Sequence, residues 1–164
     1  MKIKVAHFGV LTALALILSY LESLIPITFG VPGVKLGLPN LVIVIALYKL
    51  SAKEALLISV ARIILMGFLL GNMFSVWYGL AGGLLSLFIM ALLKRTNKFS
   101  VMGVSALGGV THNIAQLGLA ILIVNTLEIA YYLPVLIISG LVTGLIIGYL
   151  SNKLLSLLHN HRIL

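Results

Sequence analysis

Cysteine and aspartate are both absent from the 164 residues, and acid of any kind is scarce: the carboxylates are Glu22, Glu54 and Glu128. Without cysteine there is no disulfide framework, no thiolate metal site and no cysteine nucleophile. Without aspartate there are none of the Asp-rich motifs that hold magnesium around a diphosphate. Charged residues of either sign make up only 9 % of the chain and hydrophobic residues 62 %, with a mean hydropathy of +1.24. A soluble globular domain carries about 25 % charged residues. A soluble fold of this size cannot hide so much apolar surface, because too much of a small domain lies outside. The sequence therefore predicts a chain whose solvent is a bilayer.

What charge there is has one dominant sign. Eleven basic residues against three acidic ones give a net charge of +8. The basic residues come in ones, twos and threes between apolar runs, so no stripe forms for nucleic acid. The N-terminus, Met1 to Lys4 before an apolar run, has the start of a signal peptide. The run from Val5 to Ile25 outlasts the roughly 7–15 residues of a signal h-region, and no small-x-small cleavage site follows. It reads as a retained first helix.

A spanning helix needs about 20 mostly apolar residues. The pattern predicts helices over about 4–25, 40–50, 52–70, 73–93, 99–124 and 131–158, filling the chain as a single all-α membrane domain. Ser51 is placed to cap the third helix, with Glu54 at its third position, as in a capping box. Between the first two helices, Pro26, Gly30, Pro32, Gly33, Gly37 and Pro39 rule out regular helix over 26–40. That segment is still apolar enough to fold back against the bundle, where irregular backbone must be covered by protein or line a cavity. Lys2, Lys4, Lys49, Lys53, Lys94, Arg95, Lys98, Lys153 and Arg162 fall at the termini and in the second and fourth loops, whereas Lys35 alone falls in the first, third and fifth. This alternation predicts six spans with both ends in the cytoplasm; the expected membrane is the cell membrane of a prokaryote.

Depth then follows from a rise of about 1.5 Å per residue. Arg62 lies about 15 Å up the third helix, near the midplane. His112, Asn113 and Gln116 lie in the middle to outer half of the fifth. Glu22 stands near the outer end of the first helix, Lys35 and Asn72 in outer loops, and Trp77 and Tyr78 in outer turns of the fourth. A cation at the bilayer centre costs at least about 2.5–3.5 kcal/mol and must face the bundle interior and find a partner. Glu22 is the candidate counter-ion. Arg62 is thus either half of a structural bridge or a ligand group. Ser105, Gly109, His112 and Gln116 form one polar, small-residue face, read either as a pocket wall or as hydrogen-bonding glue between helices. Lys35 reads either as a solvated loop lysine or as a group that meets an anionic ligand at the mouth. Trp77, Tyr78, Tyr131 and Tyr132 read first as interface-belt aromatics, with stacking of Trp77 or Tyr78 on a planar ligand as the second reading. His112 has no His or Cys at helical spacing, which argues against a metal site, and no cofactor is expected.

On the first helix, Gly9 with Ala13 and Ala15 with Ser19 form small-xxx-small pairs. They read either as internal packing or as a docking face for another membrane protein. Gly79, Gly82 and Gly83, and Gly140, Gly144 and Gly148, read as close packing within the bundle.

Gly33-Val34-Lys35-Leu36-Gly37-Leu38-Pro39-Asn40 resembles the GVKLGLAN signature of the Gx transporter family, also known as heptaprenyl diphosphate synthase component I. Lys53-Glu54-Ala55-Leu56, Arg62, Leu80 to Ser86 and His112-Asn113-Ile114-Ala115-Gln116 resemble its later segments, so the likeness runs over nearly the whole chain. Pro39 stands where the family pattern has Ala. That family is similar to the substrate-binding S-components of energy-coupling factor (ECF) vitamin transporters. The resemblance implies six membrane helices, an outward pocket beneath the loop after the first helix, and docking on a transmembrane T-component with two ATPases. S-components often dock through an Ala-xxx-Ala pattern on the first helix, from which Gly9/Ala13 and Ala15/Ser19 depart.

The expectation is a non-enzymatic membrane subunit that binds a small molecule, resembling a vitamin or a quinone or isoprenoid precursor, for uptake. The pocket is expected under 26–40, lined by Arg62, His112, Asn113 and Gln116, with Glu22, Lys35, Asn72 and Trp77 around it. The alternative is a non-catalytic membrane partner of a prenyltransferase subunit. Prenyl diphosphate synthesis needs carboxylates to hold magnesium on the leaving diphosphate, and three scattered glutamates do not supply them.

Overall fold

A computed structural model describes residues 2–25, 36–70 and 73–160. Six α-helices follow one another: α1 (Lys2–Leu24), α2 (Leu38–Lys49), α3 (Ala52–Leu70), α4 (Met73–Thr96), α5 (Val101–Val124) and α6 (Leu133–Asn160), with a 3-10 helix (Leu127–Tyr132) before α6. All six expected helices are present, with shifted boundaries. Helix α2 begins at Leu38, two residues early, because Pro39 suits the first helical turn, where its missing N–H is no loss. Helix α4 runs on through Lys94 and Arg95 to Thr96 and stops where Asn97 turns left-handed at φ 54°. The start of α3 is as predicted: the Glu54 N–H donates to Ser51 Oγ at 3.2 Å.

Four stretches are long and apolar enough to cross a membrane: Val5–Leu24, Met73–Thr96, Val101–Val124 and Leu127–Leu158. Helix α2, with 12 residues, is too short, and α3 carries Lys53, Glu54 and Arg62 within 19 residues. Length and composition alone thus support four crossings where six were expected. Large side chains such as Phe68, Phe74, Phe88, Leu122 and Ile138 point outward and are more than half exposed. In water such a surface would aggregate; facing lipid it is solvated.

The core is organised around α2, which is apolar all round and buries Val42, Ile43, Val44, Ile45, Ala46 and Leu47. Leu11 and Ala15 of α1, Ala55 and Ile58 of α3, Leu87 and Met90 of α4, Val104 of α5 and Ile147 of α6 close around it. A short buried helix needs partners for its unpaired end groups, and both ends of α2 receive them from other helices. Glu22 reaches the N-terminal amides, and Lys94 Nζ donates to Leu47 O at 2.6 Å while lying over the Tyr48 ring. The signs are correct for the helix dipole, with the anion at the N-terminus and the cation at the C-terminus.

Helices α5 and α6 touch backbone to backbone. A Cβ on Gly144 would stand 2.7 Å from Ser105 O, and one on Gly148 2.7 Å from Met102 Cα. The glycines expected to serve packing therefore do so. On α1 the two small pairs separate. Gly9 and Ala13 are exposed, whereas Ala15 is wholly buried against the core and Ser19 is buried too. Ala15 is therefore no part of an external docking face. Two residues on a helix are about 200° apart, so Ala13 and Ala15 must face opposite ways.

Candidate functional site

Beyond the core, at the end of the bundle away from Lys49, Lys53, Lys94, Arg95 and Lys98, lies a cavity of about 900 Å³. Its walls come from the C-terminal halves of α1, α3 and α5, the N-terminal ends of α2, α4 and α6, and the 3-10 helix. Of the residues singled out in the sequence, it brings together Glu22, Arg62, His112, Asn113 and Gln116. Lys35 and Asn72 lie outside the described residues.

Arg62 is delivered from the middle of α3 and spans two other helices. Its Nη1 donates to Ser19 Oγ of α1 at 3.4 Å, and its Nη2 to Asn40 Oδ1 of α2 at 3.3 Å. Ser19 donates its own hydroxyl proton to Ala15 O at 2.7 Å, which leaves its oxygen free to accept. Both bonds to Arg62 are long and run to neutral groups. The buried Nε has no hydrogen-bond partner among the described residues.

Glu22 does not form the expected ion pair with Arg62. Its Oε1 instead accepts the backbone N–H of Gly37 and of Leu38. The reason is local: the first amides of α2 lack intrahelical acceptors, Gly37 has no side chain to cap them, and the helix N-terminus attracts an anion. Gly37 itself sits at φ +75°, a conformation that side chains disfavour. Arg62 and Glu22 therefore hold the same turn of α2 from two sides, one through Asn40 and one through the backbone.

The α5 residues divide their work. The His112 imidazole lies flat over α4, where a Cβ on Gly82 would come within 2.8 Å of it. Asn113 Nδ2 donates to Leu136 O at 2.8 Å and Ser139 Oγ at 3.3 Å, tying α5 to α6. Gln116 Nε2 donates to Tyr78 O at 3.3 Å, tying α5 to α4. Each lines the cavity and also joins helices, so the pocket and glue readings of this face describe the same residues.

Trp77 is a correction. It is 61 % exposed and contributes nothing to the cavity wall, which Tyr78 lines instead. Neighbouring helix positions are about 100° apart, so only one of the two aromatics can face inward. Sequence reasoning passed over Asn40 as a site residue, along with Ser75, Tyr132 and Thr143. For Asn40 a signal existed: it is the one strongly polar residue among Leu38–Ala46.

No curated protein and no solved structure matches this chain. The family model for heptaprenyl diphosphate synthase component I matches residues 11–154. That span contains every residue of the cavity named above, and the chain belongs to the heptaprenyl diphosphate synthase component I family.

Proposed function

We propose that this protein is a membrane-embedded, non-enzymatic subunit that binds a small molecule for uptake. The observation that carries the reading is the cavity of about 900 Å³ with Arg62 in its wall. Its size falls in the usual range for small-molecule sites, about 300–1,000 Å³. A guanidinium in an apolar bundle is costly, and ionisable groups at such depth characteristically mark substrate pathways. In this reading α2 and α3 complete six spans. The basic end faces the cytoplasm and the cavity opens to the outside. Energy comes from partners such as a T-component and ATPases, and the ligand resembles a vitamin or a quinone or isoprenoid precursor.

The decisive experiment is ligand binding by the purified protein in detergent, screened by thermal shift over vitamins, quinone precursors and prenyl phosphates. A stabilising ligand whose effect disappears in Arg62→Ala and His112→Ala supports uptake.

One observation favours a second reading, the family description itself: a non-catalytic membrane component of a heptaprenyl diphosphate synthase. Magnesium-dependent prenyl transfer would then reside in a partner, since the described part of this cavity offers Glu22 alone as a carboxylate. That reading predicts co-purification with a prenyltransferase and no small-molecule binding by the isolated chain.

A further inference from the structure

Resting on the solute-binding reading, we infer that the ligand is an amphiphilic anion, held with a carboxylate or phosphate against Arg62 and its apolar body against the apolar residues of the cavity wall. Two observations carry this, the hydrogen bonding of Arg62 and the mixed polar and apolar wall around it.

Among the described residues no carboxylate bonds Arg62 directly, and Glu22 acts on it only through space. A guanidinium offers five N–H donors in a fixed fork that matches carboxylate and phosphate oxygens. Here two of the terminal nitrogens reach neutral oxygens at 3.3 and 3.4 Å, and Nε reaches no acceptor among the described residues. Glu22, the acid of the described lining, is occupied by the amides of Gly37 and Leu38 and by the positive end of α2. Hydrogen bonds between ionised partners are shorter and roughly twice as strong as neutral ones. An incoming oxyanion therefore gains more at Arg62 than any neutral carbonyl compound does, and Ser19 and Asn40 are weak competitors for the fork.

The rest of the wall is mixed. Along α3 the cavity is lined by Arg62, Ile63, Met66 and Leu70, and along α5 by His112, Asn113, Gln116, Leu117 and Ala120. The 3-10 helix adds Ile129 and Tyr132, and α6 adds Leu136 and Thr143. Apolar side chains thus stand within a turn or two of the guanidinium. A ligand matching this wall carries an apolar body beside its charge.

The test compares anions with their uncharged twins on the full chain in a neutral detergent: 2-naphthoate against 2-naphthamide, and geranyl phosphate against geraniol. At least one anion is expected to bind about tenfold or more tightly than its twin by calorimetry, the equivalent of one charge-assisted hydrogen bond. The arm that discriminates tells a carboxylate ligand from a phosphate one. Arg62→Gln is expected to remove the difference within a pair, leaving the twins equal. The comparison on the unmodified protein stands even where that variant folds poorly. Twins that bind as tightly as the anions, or more tightly, overturn the inference and leave the pocket reading intact. Failure of all four probes on folded protein overturns the pocket reading itself.

Discussion

Glu22 caps a helix to which it does not belong: from α1 its carboxylate accepts the backbone amides of Gly37 and Leu38 at the start of α2. A capping function normally performed by a residue next to the helix is thus supplied across a helix interface, next to the cavity. Glu22→Ala leaves two amides and the α2 N-terminus without an anion. The expected loss is about 1–3 kcal/mol, as for an unpaired buried donor, measured as a lower unfolding midpoint in detergent. Glu22→Gln keeps an acceptor oxygen and is expected to lose less.

The opposite end of α2 offers a second test. Lys94→Met removes the donor to Leu47 O and the cation over Tyr48 while keeping most of the apolar stem. A charge-assisted hydrogen bond is worth about 1.5–3 kcal/mol when buried, and partial exposure of Lys94 brings the expected cost nearer 1 kcal/mol. Thermal unfolding of the purified protein reads this directly.

Glycine substitutions separate tight from open positions. Gly144→Ala drives a methyl group onto Ser105 O and Ala106 Cα, which are backbone atoms that cannot rotate away. Overpacking of this kind costs about 1–3 kcal/mol, and here the upper end is expected. Gly118→Ala meets nothing within 4 Å and is expected to be neutral or slightly stabilising. Equal unfolding midpoints for the two variants would contradict the close α5–α6 contact.

The two faces of α1 predict a further contrast. Ala15→Leu adds volume to a fully buried position and is expected to lower the yield of folded protein or its unfolding midpoint by the equivalent of about 1–3 kcal/mol. Ala13→Leu enlarges an exposed position and is expected to leave the isolated protein unchanged. Any effect of Ala13→Leu would be confined to association with another membrane protein, read by co-purification.

At the level of helices much was legible in the sequence, because apolar runs, prolines and the Ser51–Glu54 cap report on local physics. The gathering of Glu22, Arg62, His112, Asn113 and Gln116 was legible from depth, since helix rise alone fixes how far along the bundle a residue sits. Direction around the helix was harder to read. For Trp77 and Ala15 two readings each stood open, and burial decides them: Trp77 faces outward, as an interface aromatic does, and Ala15 packs internally. Glu22 does act on the charge of Arg62, but the direct bond expected between them is absent. Pairing the two opposite charges ignored the unsatisfied amides of α2, which compete for the same carboxylate and are invisible until the helix start is known.

In the solute-binding reading, the backbone contact between α5 and α6 also bears on how a solute would enter. Side chains yield by changing rotamer, but two main chains in direct contact have nothing to compress, so that pair is the fixed wall of the chamber. The opposite wall is held by side chains: α1 and α3 grip the first turn of α2 through one carboxylate and one guanidinium, and an arriving anion would compete only for the second grip, made through Asn40.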